Sequence, residues 1–374
     1  MKNRPYFCLL IISLCLSSCQ EIAQHPIGTT TVTPTQLIEV TETVPFELYQ
    51  DVRDIHFSIN VKLDYSLLES LWFNESTIWP DQDRDMAHDI MERGKNPGLG
   101  IRKLHDQGIT GKGINVAIID QNMQVDHPEF QGKIVEYFDV GTNRPFNEGS
   151  MHGPGVTSLL VGESIGTAPG ANVYYVAAPS WTADAQYQAD ALNWIVDEND
   201  KLPAGDKIRV VSISAAPSGP GSPFTKNNDA WDIAYQRATE AGILVLDLTS
   251  NHGITAPCHL DLFDPDNITK CTPGFPGLEK PLLTNRIYIP TSYRTTAEEY
   301  SKGNFSYQYT GRAGLSWSIP YLTGVLALGW QIRPDLSGSQ LVNIIFDTAY
   351  ITDSGLKIIN PGAFIDMVRR TKSQ

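Results

Sequence analysis

The chain has 374 residues, 41% of them hydrophobic and 19% charged. That is enough apolar material for a sizeable core, and it excludes a disordered chain, a collagen-like repeat and a disulfide-stapled miniature protein. Lys and Arg total 28 against 42 Asp and Glu, a formal net charge of −14, so nucleic acid is not an expected partner: a polyanion needs a basic surface to displace its counterions.

Lys2 and Arg4 form a short basic opening, and residues 6–16 are an almost unbroken apolar run. At about a dozen residues the run is too short to span ~30 Å of hydrocarbon, and residues 1–18 read as a signal peptide. It closes in Leu16-Ser17-Ser18-Cys19, which resembles a bacterial lipobox. The resemblance implies cleavage before Cys19, a lipid on its sulfur and an extracytoplasmic chain anchored to a bacterial membrane. The alternative is an ordinary signal peptide and a secreted chain. Residues 19–45 are Thr- and Pro-rich without a helical period and read as a tether.

Order returns over residues 46–95. Residues 55–61 alternate like a strand, and Leu63, Leu67, Leu68 and Leu71 share one helical face. This stretch is expected to be a small N-terminal extension or a short propeptide. From residue 96 to 374 strand and helix signals alternate. Apolar runs at 114–119, 173–178, 208–213 and 243–248 are separated by amphipathic helices at 184–196 and 229–241. Continuous apolar strands between helices predict an α/β domain with a mostly parallel central sheet covered on both faces. The apolar stretch at 319–330 contains Pro320 and Gly324 and predicts a buried core helix.

In such sheets chemistry gathers just beyond the carboxyl ends of the strands. The run 114–119 leads into Asp120, followed by His127-Pro128. Next comes Met151-His152-Gly153-Pro154-Gly155, then Thr249-Ser250-Asn251-His252-Gly253 after the run 243–248, and finally Gly314-Leu315-Ser316-Trp317-Ser318 before the core helix. Each motif alone is weak, since a polar residue after a strand or a Ser at a helix start is common. Together, over residues 96–370, they resemble the subtilisin-like serine peptidases (peptidase S8), whose catalytic residues come in the order Asp, His, Ser. Gly108-Ile109-Thr110-Gly111 resembles the family's entry loop, and residues 337–348 its late helix.

The resemblance implies a three-layer fold and an endopeptidase in which Ser316 is the nucleophile, His152 the general base and then acid, and Asp120 the residue that orients it. That division of labour is chemically sensible. A serine hydroxyl near neutral pH needs an adjacent base, histidine titrates in the right range, and its imidazolium needs a carboxylate partner. Asn251 matches the oxyanion donor. Ser214, Ala215, Ala216, Thr249 and Ser250 match the strands that flank the substrate, so protein or peptide is the expected substrate and a monomer the expected state. No cofactor is required by such chemistry.

Several positions depart from the family pattern. Gln121 and Asn122 stand where a hydroxyl residue and Gly are usual, and Asn is the non-glycine residue best suited to positive φ. Gly155 replaces a second His, Trp317 a Met, and Ala216 a Gly. These changes motivate a rival reading, a catalytically silent member of the same fold that acts as a binding or scaffold protein. Residues 256–280, with several prolines, look like a variable surface loop. There Cys258 and Cys271 are the two cysteines left after Cys8, Cys15 and Cys19 are assigned to the signal and the lipid; they either bridge or remain separate thiols. Asp261, Asp264 and Asp266 are a weak candidate for a structural Ca²⁺ site, a solvated acidic loop being the alternative.

Overall fold

The structure, a computed structural model, describes residues 38–40, 46–57, 63–142, 149–274 and 285–372. Residues 1–18, read above as a signal peptide, and the lipidation candidate Cys19 lie outside the described residues. Strands β1 (Ile38–Val40) and β2 (Ile55–Phe57) pair in parallel. Helix α1 (Tyr65–Ser70) starts where the Asp64 side chain accepts the Leu67 N–H. Then come β3 (Trp72–Asn74), α2 (Asp81–Gly94) and α3 (Ile101–Asp106).

The central layer follows. It comprises β4 (Asn115–Asp120), β5 (Ile134–Asp139), α4 (His152–Val161), β6 (Asn172–Ala177), α5 (Gln186–Lys201), β7 (Ile208–Ile213), α6 (Asn228–Glu240) and β8 (Leu244–Leu246). Its five strands run in the order β5-β6-β4-β7-β8, with every neighbouring pair parallel. β4 is buried at all six positions. Because successive side chains point to opposite faces, Val116 and Ile118 enter one core with Leu159 and Leu322, while Ala117 and Ile119 enter a second with Leu192 and Trp231. This is the α/β sheet with helices on both faces that the alternating pattern predicts.

The remaining elements are β9 (Thr255–His259), β10 (Thr272–Pro273), β11 (Ile287–Ser292), β12 (Arg294–Glu298), β13 (Ser306–Thr310), α7 (Ser318–Ile332), α8 (Gly338–Asp347), β14 (Tyr350–Ile351), β15 (Lys357–Ile358) and α9 (Pro361–Arg370). Every residue of α7 from Ser318 to Trp330 is buried, as befits a helix apolar all the way round. Among the described residues no helix is long and apolar enough to cross a membrane.

One expectation is corrected here. Residues 256–280 do not begin as a surface loop. Residues 255–259 form β9, parallel to β11 in a second five-stranded sheet, β10-β9-β11-β15-β14. Prolines masked a strand whose alternate residues Ala256 and Cys258 join the main core. Cys258 bonds Cys271 through sulfur, with their Cα atoms 5.8 Å apart. Residues 275–280 lie outside the described residues.

The described part of residues 46–95 packs against the domain that follows. β3 pairs with β13 in an antiparallel sheet, β12-β13-β3, with Phe73 opposite Tyr309. The Thr295 hydroxyl donates to the Met91 carbonyl at 2.6 Å. A third core of Val52, Leu68, Leu71, Phe73, Trp79 and Ile90 takes in Leu262 and Tyr309 from the main domain. Phe73 is 1% exposed, with Trp79 edge-on at 5.3 Å and Tyr309 at 5.1 Å between ring centres. Phe73→Ala is therefore expected to destabilise the chain by about 3–5 kcal/mol, in a single urea transition followed by near-ultraviolet circular dichroism. Two separate transitions would mean that the extension folds as its own unit.

Candidate active site

The carboxyl end of β4 places Asp120 at the top of the central sheet. Its backbone carbonyl accepts the Ala178 N–H at 2.7 Å, which locks it beside β6. The carboxylate is 5% exposed, and its Oδ1 accepts the Gln121 N–H at 2.8 Å and His152 Nδ1 at 2.7 Å. A carboxylate can only accept, so Nδ1 carries the proton and Nε2 is left with its lone pair. Burial disfavours the imidazolium, but the charge of Asp120 and its hydrogen bond outweigh that, and His152 lies above its ordinary value.

His152 opens α4, whose first turn is held where the Ser150 hydroxyl accepts the Gly153 N–H at 3.1 Å. A Cβ at Gly153 would stand 2.6 Å from the Tyr175 hydroxyl and 2.7 Å from the Gln121 carbonyl, so only glycine lets α4 approach the end of β4 this closely. The Ser150 N–H donates to the Asn122 carbonyl at 2.9 Å, which ties the segment after Asp120 to the segment before His152. Neither Gln121 nor Asn122 has a positive φ. The turn after Asp120 therefore does not use the left-handed conformation for which asparagine is suited.

Ser316 sits in a tight 3₁₀ turn, Leu315–Trp317, immediately before α7 rather than inside it. The turn is pinned to the end of β7: the Ser214 hydroxyl donates to the Ser316 carbonyl at 2.7 Å, and the Ser316 hydroxyl donates to the Ser214 carbonyl at 3.4 Å. The Trp317 and His152 rings meet at a steep angle of 64°, with centres 5.3 Å apart. A Cβ at Gly155 would touch the Trp317 ring at 3.4 Å. Two departures from the family pattern are thus neighbours: the indole packs over the position where a side chain at 155 would begin. Asp120, His152 and the Trp317 ring beside Ser316 are in this way brought together, while no hydrogen bond joins His152 to Ser316 among the described residues.

The other candidate residues fall on two adjacent segments. The Leu248 N–H donates to the Ala215 carbonyl at 2.9 Å, so 214–216 and 248–251 run side by side. The Ala216 carbonyl accepts the Ser222 hydroxyl at 2.6 Å. Thr249 is buried, its hydroxyl turned to Asp247 at 2.8 Å, so it has only backbone to offer a substrate. Ser250 and Asn251 are exposed and lie against Gly219, where a Cβ would meet the Ser250 hydroxyl at 2.8 Å and the Asn251 amide at 3.3 Å. Sequence reasoning missed Asp247, Trp231 and His252, which support this turn. The available signal was a lone carboxylate inside the apolar run 243–248.

The proposed metal ligands do not converge. Asp261 and Asp264 both bind the Lys270 ammonium, at 2.9 and 3.2 Å. Asp266 accepts the Gly100 N–H at 2.8 Å and pairs with Lys103 at 3.1 Å. Each carboxylate is thus paired with protein donors, Asp261 and Asp264 sharing one ammonium, and among the described residues no group of three or more His, Cys, Asp or Glu is arranged to hold a metal.

A family model described as the subtilase family (peptidase S8) matches residues 111–364. Subtilisin E of Bacillus subtilis is 25% identical over 204 residues, covering 51% of this chain and 48% of that protein. Subtilisin-like protease 2 of Trichophyton equinum is 26% identical over 212 residues, 52% of this chain and 47% of that one. The chain thus matches about half the length of these curated relatives. Among solved structures, fervidolysin from Fervidobacterium pennivorans, described as a keratinolytic enzyme related to subtilisin, superposes with a TM-score of 0.52 at 15% identity, over 74% of this chain and 47% of that one. The prenylagaramide maturation protease PagA gives 0.51 at 17% identity, over 72% and 98%. At these identities the two structures speak for the fold.

Proposed function

Since the chain belongs to the subtilase family, and so to the serine peptidases, we propose that it is an endopeptidase that works through Asp120, His152 and Ser316. The observation that carries this reading is the 2.7 Å contact between buried Asp120 and His152 Nδ1, which leaves Nε2 as a base. In the proposed cycle His152 Nε2 takes the Ser316 proton as Oγ attacks the peptide carbonyl. The imidazolium then protonates the leaving amine, and water repeats the sequence to release the acyl group. Negative charge on the carbonyl oxygen is met by the Asn251 amide and the Ser316 backbone N–H. The segments 214–216 and 248–251 flank an extended peptide. Subtilases need no organic cofactor.

The lipobox-like ending at Cys19 supports a chain tethered by lipid outside the cytoplasm, with residues 46–95 retained as part of the folded domain. Their shared core with Tyr309 and Leu262 is what supports retention.

A second reading, a catalytically silent member of the fold, is favoured by one observation: the Ser316 hydroxyl donates to the Ser214 carbonyl rather than to His152. Catalytic hydrogen bonds are often long or misaligned in enzymes without substrate. Labelling of the folded chain with a fluorophosphonate, which reacts with activated serines, separates the two. Selective labelling at Ser316 supports the peptidase; a folded, unlabelled chain supports the silent reading.

The pH dependence has a definite sign. The base must be neutral, and His152 is shifted upward. Thus kcat/KM is expected to rise with pH through an acid limb centred above about 6.5, the ordinary histidine value. The stability contributed by protonated His152 beside Asp120 runs the other way. It is complete below the unfolded-state value and lost as pH rises through the raised one. An acid limb centred below the ordinary histidine value would contradict this assignment.

A further inference from the structure

Asp247 directly follows β8, and its side chain is 0% exposed. Its four hydrogen bonds come from three residues in two places. Oδ1 accepts the Thr249 N–H at 3.0 Å and the Thr249 hydroxyl at 2.8 Å; Oδ2 accepts His252 Nδ1 at 3.4 Å and the indole N–H of Trp231, on α6, at 3.3 Å. The loop also closes on itself. The His252 N–H donates to the Thr249 hydroxyl at 3.0 Å, and the Gly253 N–H to the Thr249 carbonyl at 2.9 Å. Tyr235 of α6 stacks on the His252 ring, with centres 3.8 Å apart and planes 14° apart.

The result is a turn anchored on both sides by one carboxylate, with Ser250 and Asn251 at its tip. Neither tip side chain has a hydrogen bond of its own among the described residues, so the position of Asn251 is set by the anchors. A surface turn gains nothing in solvation from this device, because water would satisfy its N–H groups. Burying the carboxylate is costly, and burial pushes Asp247 above the usual carboxylate range even though the Thr249 and His252 hydrogen bonds pull it back. What the device supplies is a fixed location.

We propose that Asp247 is a positioning residue that holds the Thr249–His252 turn so that the Asn251 amide stands ready where charge develops on the substrate carbonyl. This rests on the peptidase reading above. A preorganised donor stabilises the transition state only if it need not move at the moment of reaction, and a displacement of about 1 Å can cost about 10²-fold in rate.

Asp247→Asn keeps the size of the side chain but turns one acceptor into an NH₂ group. Whichever way the amide is placed, it faces protein N–H or O–H donors, so the turn loosens. The expected result is a fall in kcat of about 10- to 100-fold with KM within about twofold, because the contact is made only in the transition state. The discriminating test is a double-mutant cycle. In an Asn251→Ala background the same Asp247→Asn change is expected to cost no more than about twofold, since the donor it positions is gone. His252→Gln, which disrupts one anchor without touching the carboxylate, is expected to show the same pattern with a smaller loss, and it decides the matter if Asp247→Asn does not fold. Equal losses in both backgrounds, or a loss confined to KM, would overturn the proposal while leaving the peptidase intact. A wild-type chain that neither takes up fluorophosphonate nor cleaves peptide would overturn both.

Discussion

Ser316→Ala is expected to abolish fluorophosphonate labelling and to lower kcat by about a million-fold, the size of the loss on removing the nucleophile in subtilisin itself. No other group in the site can replace the hydroxyl. Asp120 is committed to Gln121 and His152, and the Ser214 hydroxyl donates to a backbone carbonyl. The fold should be indifferent to the change. Ser316 is half-buried and its hydroxyl makes one long contact, so stability should stay within about 1 kcal/mol of wild type. Activity and melting temperature measured on the same preparation check both halves. A variant that keeps peptide cleavage would move the nucleophile elsewhere and remove the proposed site.

Asp120→Asn is expected to lower kcat by about 10⁴-fold with little change in KM. An amide that offers its NH₂ to His152 Nδ1 makes that nitrogen an acceptor and drives the proton to Nε2, the atom that must take the serine proton. The amide fills the same space as the carboxylate, but the NH₂ that faces His152 no longer accepts the Gln121 N–H, so one backbone contact is given up as well. The same change removes the charge that raises His152, so the acid limb of the residual activity should move to lower pH. A loss below tenfold, or an unmoved limb, would mean that the 2.7 Å contact is structural only.

The sheet and the polar ends of its strands were legible because β4, β6 and β7 are buried on both faces and read as mostly apolar runs, interrupted in β7 only by Arg209 and Ser212. An apolar run that stops at Asp120 announces both the strand and the site. The antiparallel sheet β12-β13-β3 was not legible. β3 is three residues long, and β12 (Arg-Thr-Thr-Ala-Glu) is buried with charged residues at both ends, so hydropathy gives it no pattern. Arg294, for example, is buried against the carbonyls of Gly94 and Ile165 at 3.4 and 3.2 Å. The support beneath Asn251 was hidden for a related reason. Asp247 lies inside an apolar run, and only the fold reveals that its partners Trp231 and His252 converge on it.

The setting of Ser316 also links lifetime to chemistry. Its carbonyl is bonded to Ser214 on the sheet side, and its turn runs straight into α7, which is enclosed on every side. Amides in such a helix exchange with solvent only when the whole domain opens, whereas surface turns open locally and often. Ser316 is therefore attached to the most slowly exchanging kind of element, whereas Ser250 and Asn251 stand at an exposed tip held only through the Asp247 anchors. Partial opening under mild heat or denaturant should reach the oxyanion side first, so turnover would fade while the serine was still held in place.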